Sequence, residues 1–278
     1  MDNNSVKKPL WLIKMGGDVV SDREALNGFM DDLAAAIDQG KDLVIVHGGG
    51  PQATRLMKSL SLEPKFAGGR RITDEETLEA VVKAVAGEVS TKVAAACTAK
   101  GIQALAITGV SSGIVLADKR PPRKVLGSEK AVDFGLVGDV KTIRVDRIRA
   151  LIDAGFVPVI GCMASNGAGQ VLNINGDVVA VDMAIALDAE ILFAISGVPG
   201  VLRDPSELSS RINTLNGQEI KAAVEEGVIS GGMVAKVDEA LRAVGAGVNG
   251  VIIAGPPRKG LIQDALEGRA GTRVESSE

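Results

Sequence analysis

Short apolar runs alternate with longer amphipathic patterns along most of this 278-residue chain. The runs predict strands, the first of them at residues 10–14, 43–46, 102–107 and 156–161. Between the first two runs, Leu26, Phe29 and Leu33 share one face of a predicted helix over residues 22–39. Strands separated by helices of this length favour a parallel sheet covered on both faces. We therefore predict an α/β fold, a three-layer sandwich with a mostly parallel central sheet, in one domain over residues 1–278.

The rest of the chain continues this pattern with one interruption. Further strands are predicted at residues 170–173, 191–195 and 250–254, with a final edge strand at 272–274. Further helices are predicted at residues 51–60, 74–100, 145–154, 176–187, 217–226, 231–245 and 261–267. Residues 113–143 are irregular and carry several glycines and a Pro-Pro pair, which favours β-hairpins that protrude from the sheet.

Composition excludes two classes of partner. The net charge is −4, the isoelectric point is near 5.3, and the chain has one Trp and no Tyr. Nucleic-acid binding relies on basic surfaces and aromatic stacking platforms, and this chain offers neither. No apolar run approaches the roughly 20 residues that a membrane span needs. We expect no nucleic-acid and no membrane partner.

Cysteine and histidine usage narrows the chemistry. Cys97 and Cys162 lie in apolar contexts without metal-ligand spacing, which predicts buried thiols in a reducing, cytoplasmic compartment. His47 is the only histidine, which excludes a multi-histidine metal site and disfavours a Ser-His-Asp triad. Its position beside a turn favours a structural hydrogen-bonding role. The sequence contains no cluster of carboxylates that would predict a metal site built from protein side chains alone.

Two glycine-rich turns each follow an apolar run. The first run ends in Lys14-Met15-Gly16-Gly17, and the second ends in His47-Gly48-Gly49-Gly50. Bare backbone amides in such turns can approach a phosphate, and a helix that follows adds its positive end. Lys14 places a cation at a strand's carboxyl end, where open α/β sheets bind their ligands. The two turns predict a phosphate-binding site, although either alone is also typical of a tight turn.

Seven ordered sequence blocks carry a resemblance to a known family. The chain resembles the amino acid kinase superfamily from about residue 10 to residue 274. The blocks, in order, are IKMGG at 13–17, HGGGPQ at 47–52, GRRITD at 69–74, LVGDV at 136–140, NINGD at 173–177, GGMVAK at 231–236 and GT at 271–272.

The resemblance implies an activity. Members transfer the γ-phosphoryl group of ATP to the side-chain carboxylate of an acidic amino acid derivative, here N-acetyl-L-glutamate of arginine biosynthesis. A carboxylate is already nucleophilic at pH 7, so the reaction needs cations and positioning rather than a general base. Mg²⁺ is implied as the companion of ATP, and a homodimer as the assembly. An acceptor-binding lobe over about residues 1–170 and a nucleotide-binding lobe over about 171–278 are also implied.

The resemblance also implies catalytic roles for Lys14, Lys236 and Asp177. Lys14 would hold the β/γ-phosphoryl region, and Lys236 would approach it from the nucleotide side. Asp177 would orient both ammonium groups without abstracting a proton. From the residues alone, Asp177 is equally suited to cap a helix, and Lys236 to be a solvated lysine.

Further residues are implied to bind the two substrates. Arg71 would pair with the acceptor α-carboxylate, and Asn173 would also hold the acceptor. The remaining residues would bind through the main chain or a hydroxyl: Gly49 and Gly50 on the acceptor, and Gly16, Gly17, Ser196 and Gly197 on ATP. Arg70 is a near equal of Arg71, and Asn173 is also a typical turn residue.

Three departures from the family pattern leave alternatives open. Members carry an acid where this chain has Gly197 and another near Ser112, so a carboxylate is expected to be missing beside the nucleotide. A histidine-containing stretch is replaced by residues 255–260. One alternative is therefore a non-catalytic ligand-binding regulator. Another alternative is a kinase for aminoadipate or glutamate that is held on an acidic carrier protein. The basic segment 119–124 would bind that carrier protein. The same segment is also typical of a solvated loop.

Overall fold

The computed structural model describes residues 8–125 and 130–276. Its main sheet has eight strands in the order β12-β14-β13-β11-β1-β2-β8-β5, and every pairing is parallel except that of β13 with β14. The strands are β1 (Leu10–Met15), β2 (Asp42–His47), β3 (Phe66–Ala67), β4 (Arg70–Arg71), β5 (Ala104–Thr108), β6 (Val115–Lys119), β7 (Gly138–Ile143), β8 (Val157–Gly161), β9 (Met163–Ser165), β10 (Val171–Asn173), β11 (Ile191–Ile195), β12 (Thr214–Leu215), β13 (Val251–Ala254) and β14 (Thr272–Val274).

Helices cover both faces of this sheet. They are α1 (Arg23–Asp38), α2 (Gly50–Ser59), α3 (Glu75–Val82), α4 (Ser90–Thr98), α5 (Val145–Asp153), α6 (Gly176–Leu187), α7 (Gly217–Glu225), α8 (Gly232–Gly245) and α9 (Leu261–Leu266). The predicted three-layer α/β architecture is confirmed.

Alternation along β1 builds the two cores. Leu10 and Leu12 point to one face and pack with residues of α6 and α8. Trp11 and Ile13 point to the other face and pack with residues of α1, α4 and α9. Lys14 continues the first set, so its side chain leaves the sheet on the α6 face.

Local sequence signals fix several helix ends. Asp22 caps α1 by accepting hydrogen bonds from the amides of Glu24 and Ala25. Asn216 and Glu219 form a capping box at α7, and Gly227 follows that helix in a left-handed conformation (φ 76°). These short-range signals explain why the helix predictions and the structure differ by only a residue or two at these ends.

The structure departs from the prediction at the long helix over residues 74–100. That segment is three consecutive pieces, α3, a π-helical stretch (Lys83–Val89) and α4. Residues 113–143 contain β6 and β7, which pair antiparallel in a small sheet of order β10-β9-β6-β7. The predicted hairpin is thus confirmed, although residues 126–129 lie outside the described residues.

Short strands account for the other differences. The sequence pattern missed β9, β12 and the two-stranded β3–β4 hairpin because two or three residues carry no measurable alternation. The edge position predicted for β14 is wrong, since β12 lies outside it. Within the described residues, no helix is both long and apolar enough to cross a membrane.

Candidate active site

A carboxylate shared by two lysines lies at the carboxyl end of β1. The Nζ of Lys14 is 2.7 Å from Oδ1 of Asp177, and the Nζ of Lys236 is 3.4 Å from Oδ2. Lys14 is only 7% exposed, and a buried ammonium group is costly unless it is paired. The structure therefore brings together Lys14, Asp177 and Lys236, the three residues for which the family resemblance implies catalytic roles.

Helix geometry leaves Asp177 free for this role. The helix α6 is capped by Asn175, whose Oδ1 accepts hydrogen bonds from the amides of Asp177 and Val178. The alternative that Asp177 caps the helix is wrong, since Asn175 already satisfies those amides. Lys236 reaches Asp177 from α8, which packs beside α6.

Burial and neighbouring charges act in opposite directions on Asp177 and on Lys236. Burial alone would raise the pKa of Asp177, but the ammonium groups of Lys14 and Lys236 hold it below its ordinary value. Burial and the charge of Lys14 lower the pKa of Lys236, and the carboxylates of Asp177 and Asp18 oppose that fall. The group carries a net positive charge, which suits an anionic ligand.

The two glycine turns lie side by side next to this group. The Gly16 amide donates to the carbonyl of Ile195, and the Gly48 amide donates to that of Met15. Within residues 8–125 and 130–276, the amides of Gly17 and Gly49 donate no hydrogen bond. Because α2 begins at Gly50 and α6 begins at Gly176 beside Gly48, two helix N-termini add positive potential here.

Close packing requires glycine in these turns. A β-carbon at Gly17 would lie 2.5 Å from Oε1 of Gln52, whose Nε2 donates to the Gly17 carbonyl. A β-carbon at Gly49 would lie 2.8 Å from Cγ2 of Val85. Larger residues would therefore displace the neighbouring helical segments that pack against the turns.

His47 supports the second turn from beneath. Its ring nitrogens lie 2.9 Å from the Gly48 carbonyl and 2.9 Å from Oγ of Ser90, which donates in turn to the carbonyl of Val85 in the π-helical stretch. Burial lowers the pKa of His47 to about 4. The predicted structural role of His47 agrees with this neutral, fully buried environment.

A pocket of about 220 Å³ opens beside the second turn. Arg71 enters it from β4, donating to Oγ1 of Thr54 at 2.7 Å and to the Gly50 carbonyl at 3.1 Å. Its guanidinium also stacks 4.7 Å from the ring centroid of Phe66. Arg71 is thereby held at the pocket wall, with burial lowering its pKa.

Polar and apolar groups share the rest of this pocket. Asn173 lines it and donates to the buried Thr73 hydroxyl at 3.1 Å. Apolar side chains also line it, namely Ala53, Val81, Val85, Val137, Cys162 and Ile174. Among the described residues that line the pocket there is no carboxylate. Of the predicted acceptor residues, Gly49, Gly50, Arg71 and Asn173 all line this one pocket.

The basic segment 119–124 is only partly solvated. Arg120 is 4% exposed and lines the same pocket, with its guanidinium 2.8 Å from Asp139. Arg123 also pairs with Asp139, at 2.8 Å. The interpretation of this segment as a solvated loop is wrong for Arg120, because the return strand β7 supplies a carboxylate that the linear pattern did not connect to it.

The predicted nucleotide residues meet at the ends of β1 and β11. Oγ of Ser196 is buried without a hydrogen-bond partner among the described residues. The Gly197 amide donates to Oδ2 of Asp18 at 2.9 Å. Position 197 itself carries no acid, but Asp18, from the turn after β1, brings a carboxylate beside it.

Sequence reasoning missed three contributors, Asp18, Thr54 and Arg120. For Asp18, the one available sequence signal was its position as an acidic residue directly after the first glycine pair. Thr54 and Arg120 come from elements whose approach to the pocket depends on tertiary packing. The fold and the site together define an α/β protein with a mostly parallel sheet, whose two glycine turns and net positive charge suit an anionic ligand.

Comparisons with known proteins place this chain in a family. The model of the amino acid kinase family matches residues 9–255. The acetylglutamate kinase of Anaeromyxobacter dehalogenans is 41% identical over 95% of this chain and 98% of its own, and that of Methanopyrus kandleri is 38% identical over 95% and 99%. The structure of smu.665 from Streptococcus mutans superimposes with a TM-score of 0.78 at 26% identity, covering 96% of this chain and 98% of its own. The chain belongs to the amino acid kinase family.

Proposed function

We propose that this protein transfers the γ-phosphoryl group of ATP to the side-chain carboxylate of N-acetyl-L-glutamate, as an acetylglutamate kinase of arginine biosynthesis. One observation carries the proposal: a pocket whose described lining holds Arg71 and no carboxylate adjoins the lysine pair on Asp177. Relatives named acetylglutamate kinase, about 40% identical over nearly the whole chain, support it.

The lining of the pocket favours an acylated acceptor over a free amino acid. A free amino acid carries an ammonium group, which needs a carboxylate partner when it is buried. The described lining offers arginines, two asparagines and apolar side chains instead. An N-acyl group is neutral and has an apolar methyl, so it suits this lining.

The transfer step needs no base. The acceptor's side-chain carboxylate oxygen attacks the γ-phosphorus, the bond from the γ-phosphorus to the β–γ bridging oxygen breaks, and ADP leaves with that electron pair. The main cost is the approach of two anions, which Lys14, Lys236 and the free amides of Gly17 and Gly49 offset. Asp177 orients both ammonium groups.

The remaining residues divide between acceptor binding and ATP binding. Arg71 binds the acceptor with Gly49 and Gly50 in a lobe over about residues 1–170, and Asn173, just beyond that lobe in sequence, binds it as well. Gly16, Gly17, Ser196 and Gly197 bind ATP, with the nucleotide lobe over about residues 171–278. The buried, unpartnered hydroxyl of Ser196 supports a polar ligand at that end.

We also propose Mg²⁺, a homodimer and a cytoplasmic location. Mg²⁺ usually binds through substrate phosphates and only one or two carboxylates. This agrees with the described residues, among which no three His, Cys, Asp or Glu side chains cluster as metal ligands. The outer strand β5 offers an open sheet edge to a second copy. Cys97 and Cys162 are free, buried thiols, as in proteins of a reducing compartment.

Hydroxylamine trapping tests the reaction. Purified protein with ATP and Mg²⁺ is offered N-acetylglutamate, glutamate, aspartate and aminoadipate, and acyl phosphates are captured as hydroxamates. We expect product with N-acetylglutamate. No product with any of the four, despite measurable ATP binding, would favour the regulator or the carrier-protein alternative.

A further inference from the structure

Asp18 is a carboxylate in the nucleotide end of the site that the mechanism above does not use. Its side chain folds back over the turn after β1, so that a β-carbon added to Gly16 would clash with Oδ1. Its Oδ2 accepts the Gly197 amide at 2.9 Å. A β-carbon at Gly197 would lie 2.8 Å from the same oxygen, so a larger residue at either glycine would displace the Asp18 carboxylate.

Asp18 forms no direct ion pair with the described residues around it. Within residues 8–125 and 130–276, Asp18 forms no ion pair, whereas both oxygens of Asp177 are taken by lysines. Its charge nevertheless reaches the site, since it acts on Lys236. A carboxylate beside a polyphosphate repels it unless a cation lies between them.

We infer that Asp18 recognises the divalent cation of a Mg²⁺–nucleotide complex. Mg²⁺ prefers oxygen ligands, keeps several waters, and is commonly held by one or two carboxylates together with substrate phosphates. Asp18 supplies one such carboxylate, oriented by the Gly197 amide. The inference rests on the proposed use of ATP, and it makes Asp18 a selector for the magnesium-bound form of the nucleotide.

A purely structural reading is that Asp18 only ties the first turn to Gly197. Asp18→Asn separates the structural role from cation recognition, because the asparagine oxygen can still accept the hydrogen bond from the Gly197 amide while the negative charge is lost. Asp18→Glu does the reverse by keeping the charge and altering the tether. Glu24→Gln, which removes an exposed charge in the first turn of α1, is the matched control.

Calorimetric titration with ATP, in excess Mg²⁺ and in EDTA, tests the inference without turnover. We expect the wild type and Glu24→Gln to bind ATP about tenfold more tightly with Mg²⁺ than without it. In Asp18→Asn the two affinities should converge, with magnesium-free ATP bound more tightly than by the wild type. Asp18→Glu should keep the preference for Mg²⁺.

Three results would overturn the inference. They are an unchanged magnesium preference in Asp18→Asn, an equal loss of affinity in both buffers, or loss of the preference in a folded Asp18→Glu. If the wild type binds no ATP in either buffer, the proposed function fails with it. If ATP binds as expected but no acceptor yields a hydroxamate, only the proposed reaction fails.

Discussion

Lys14 and Asp177 form a 2.7 Å ion pair although they are separated by more than half of the chain. The pair sits where β1 ends and α6 begins, with Lys236 on the second carboxylate oxygen. A carboxylate held below its ordinary pKa by two ammonium groups is a poor base. Its contribution is to fix two cations at one spot.

Removing either lysine should lower kcat more than it weakens substrate binding. For Lys14→Ala or Lys236→Ala we expect kcat to fall roughly 100-fold, about 3 kcal/mol, the scale of losing one group that stabilises developing charge. Steady-state kinetics with N-acetylglutamate measures this. Lys221→Ala, on the exposed side of α7, should match the wild type, and equal losses in all three variants would contradict the assignment.

Asp177→Asn should change the pH profile as well as the rate. Without the carboxylate, the two ammonium groups repel each other and the pKa of Lys236, already lowered by burial, falls further. Activity should therefore decline at a lower alkaline pH than in the wild type. A profile of kcat against pH checks this, and an unshifted alkaline limb would show that Asp177 does not control the lysines.

Arg71→Ala should raise KM for the acceptor with little change in kcat. The contact is made equally before and during transfer, so its loss weakens ground-state and transition-state binding together. Arg70→Ala is the matched comparison, because Arg70 is the adjacent residue on β4. A raised KM in Arg70→Ala but not in Arg71→Ala would mean that the wrong arginine has been assigned.

His47 should make stability depend on pH in a defined window. Its folded pKa is about 4 and its ordinary value is 6.5, so the unfolded chain binds the proton first as pH falls. The free energy of unfolding should drop by about 2 kcal/mol between pH 7.5 and pH 5. Urea unfolding at the two pH values measures it.

His47→Gln provides the control for that window. Since the chain has no other histidine, the variant should lose most of this pH dependence even if it is less stable throughout. A wild-type slope that persists in His47→Gln would assign the effect to carboxylates instead.

The sequence by itself determined the layers, the order of the helices and of the longer core strands, and the two glycine turns. Apolar periodicity and caps such as Asp22 and Asn216 act over a few residues, so they can be seen in the chain. The ordered motifs also pointed to Lys14, Asp177 and Lys236, because their family order is itself a linear property.

Only the tertiary structure decided which charges meet. Asp18 reaches Gly197, and Arg120 finds Asp139, through strands that become neighbours only in the folded sheet. The π-helical stretch that brings Val85 against Gly49 was likewise invisible, since one extra residue per turn leaves little trace in hydrophobic periodicity. Short-range signals fix elements, whereas charge pairing and close packing depend on distances that exist only after the chain has folded.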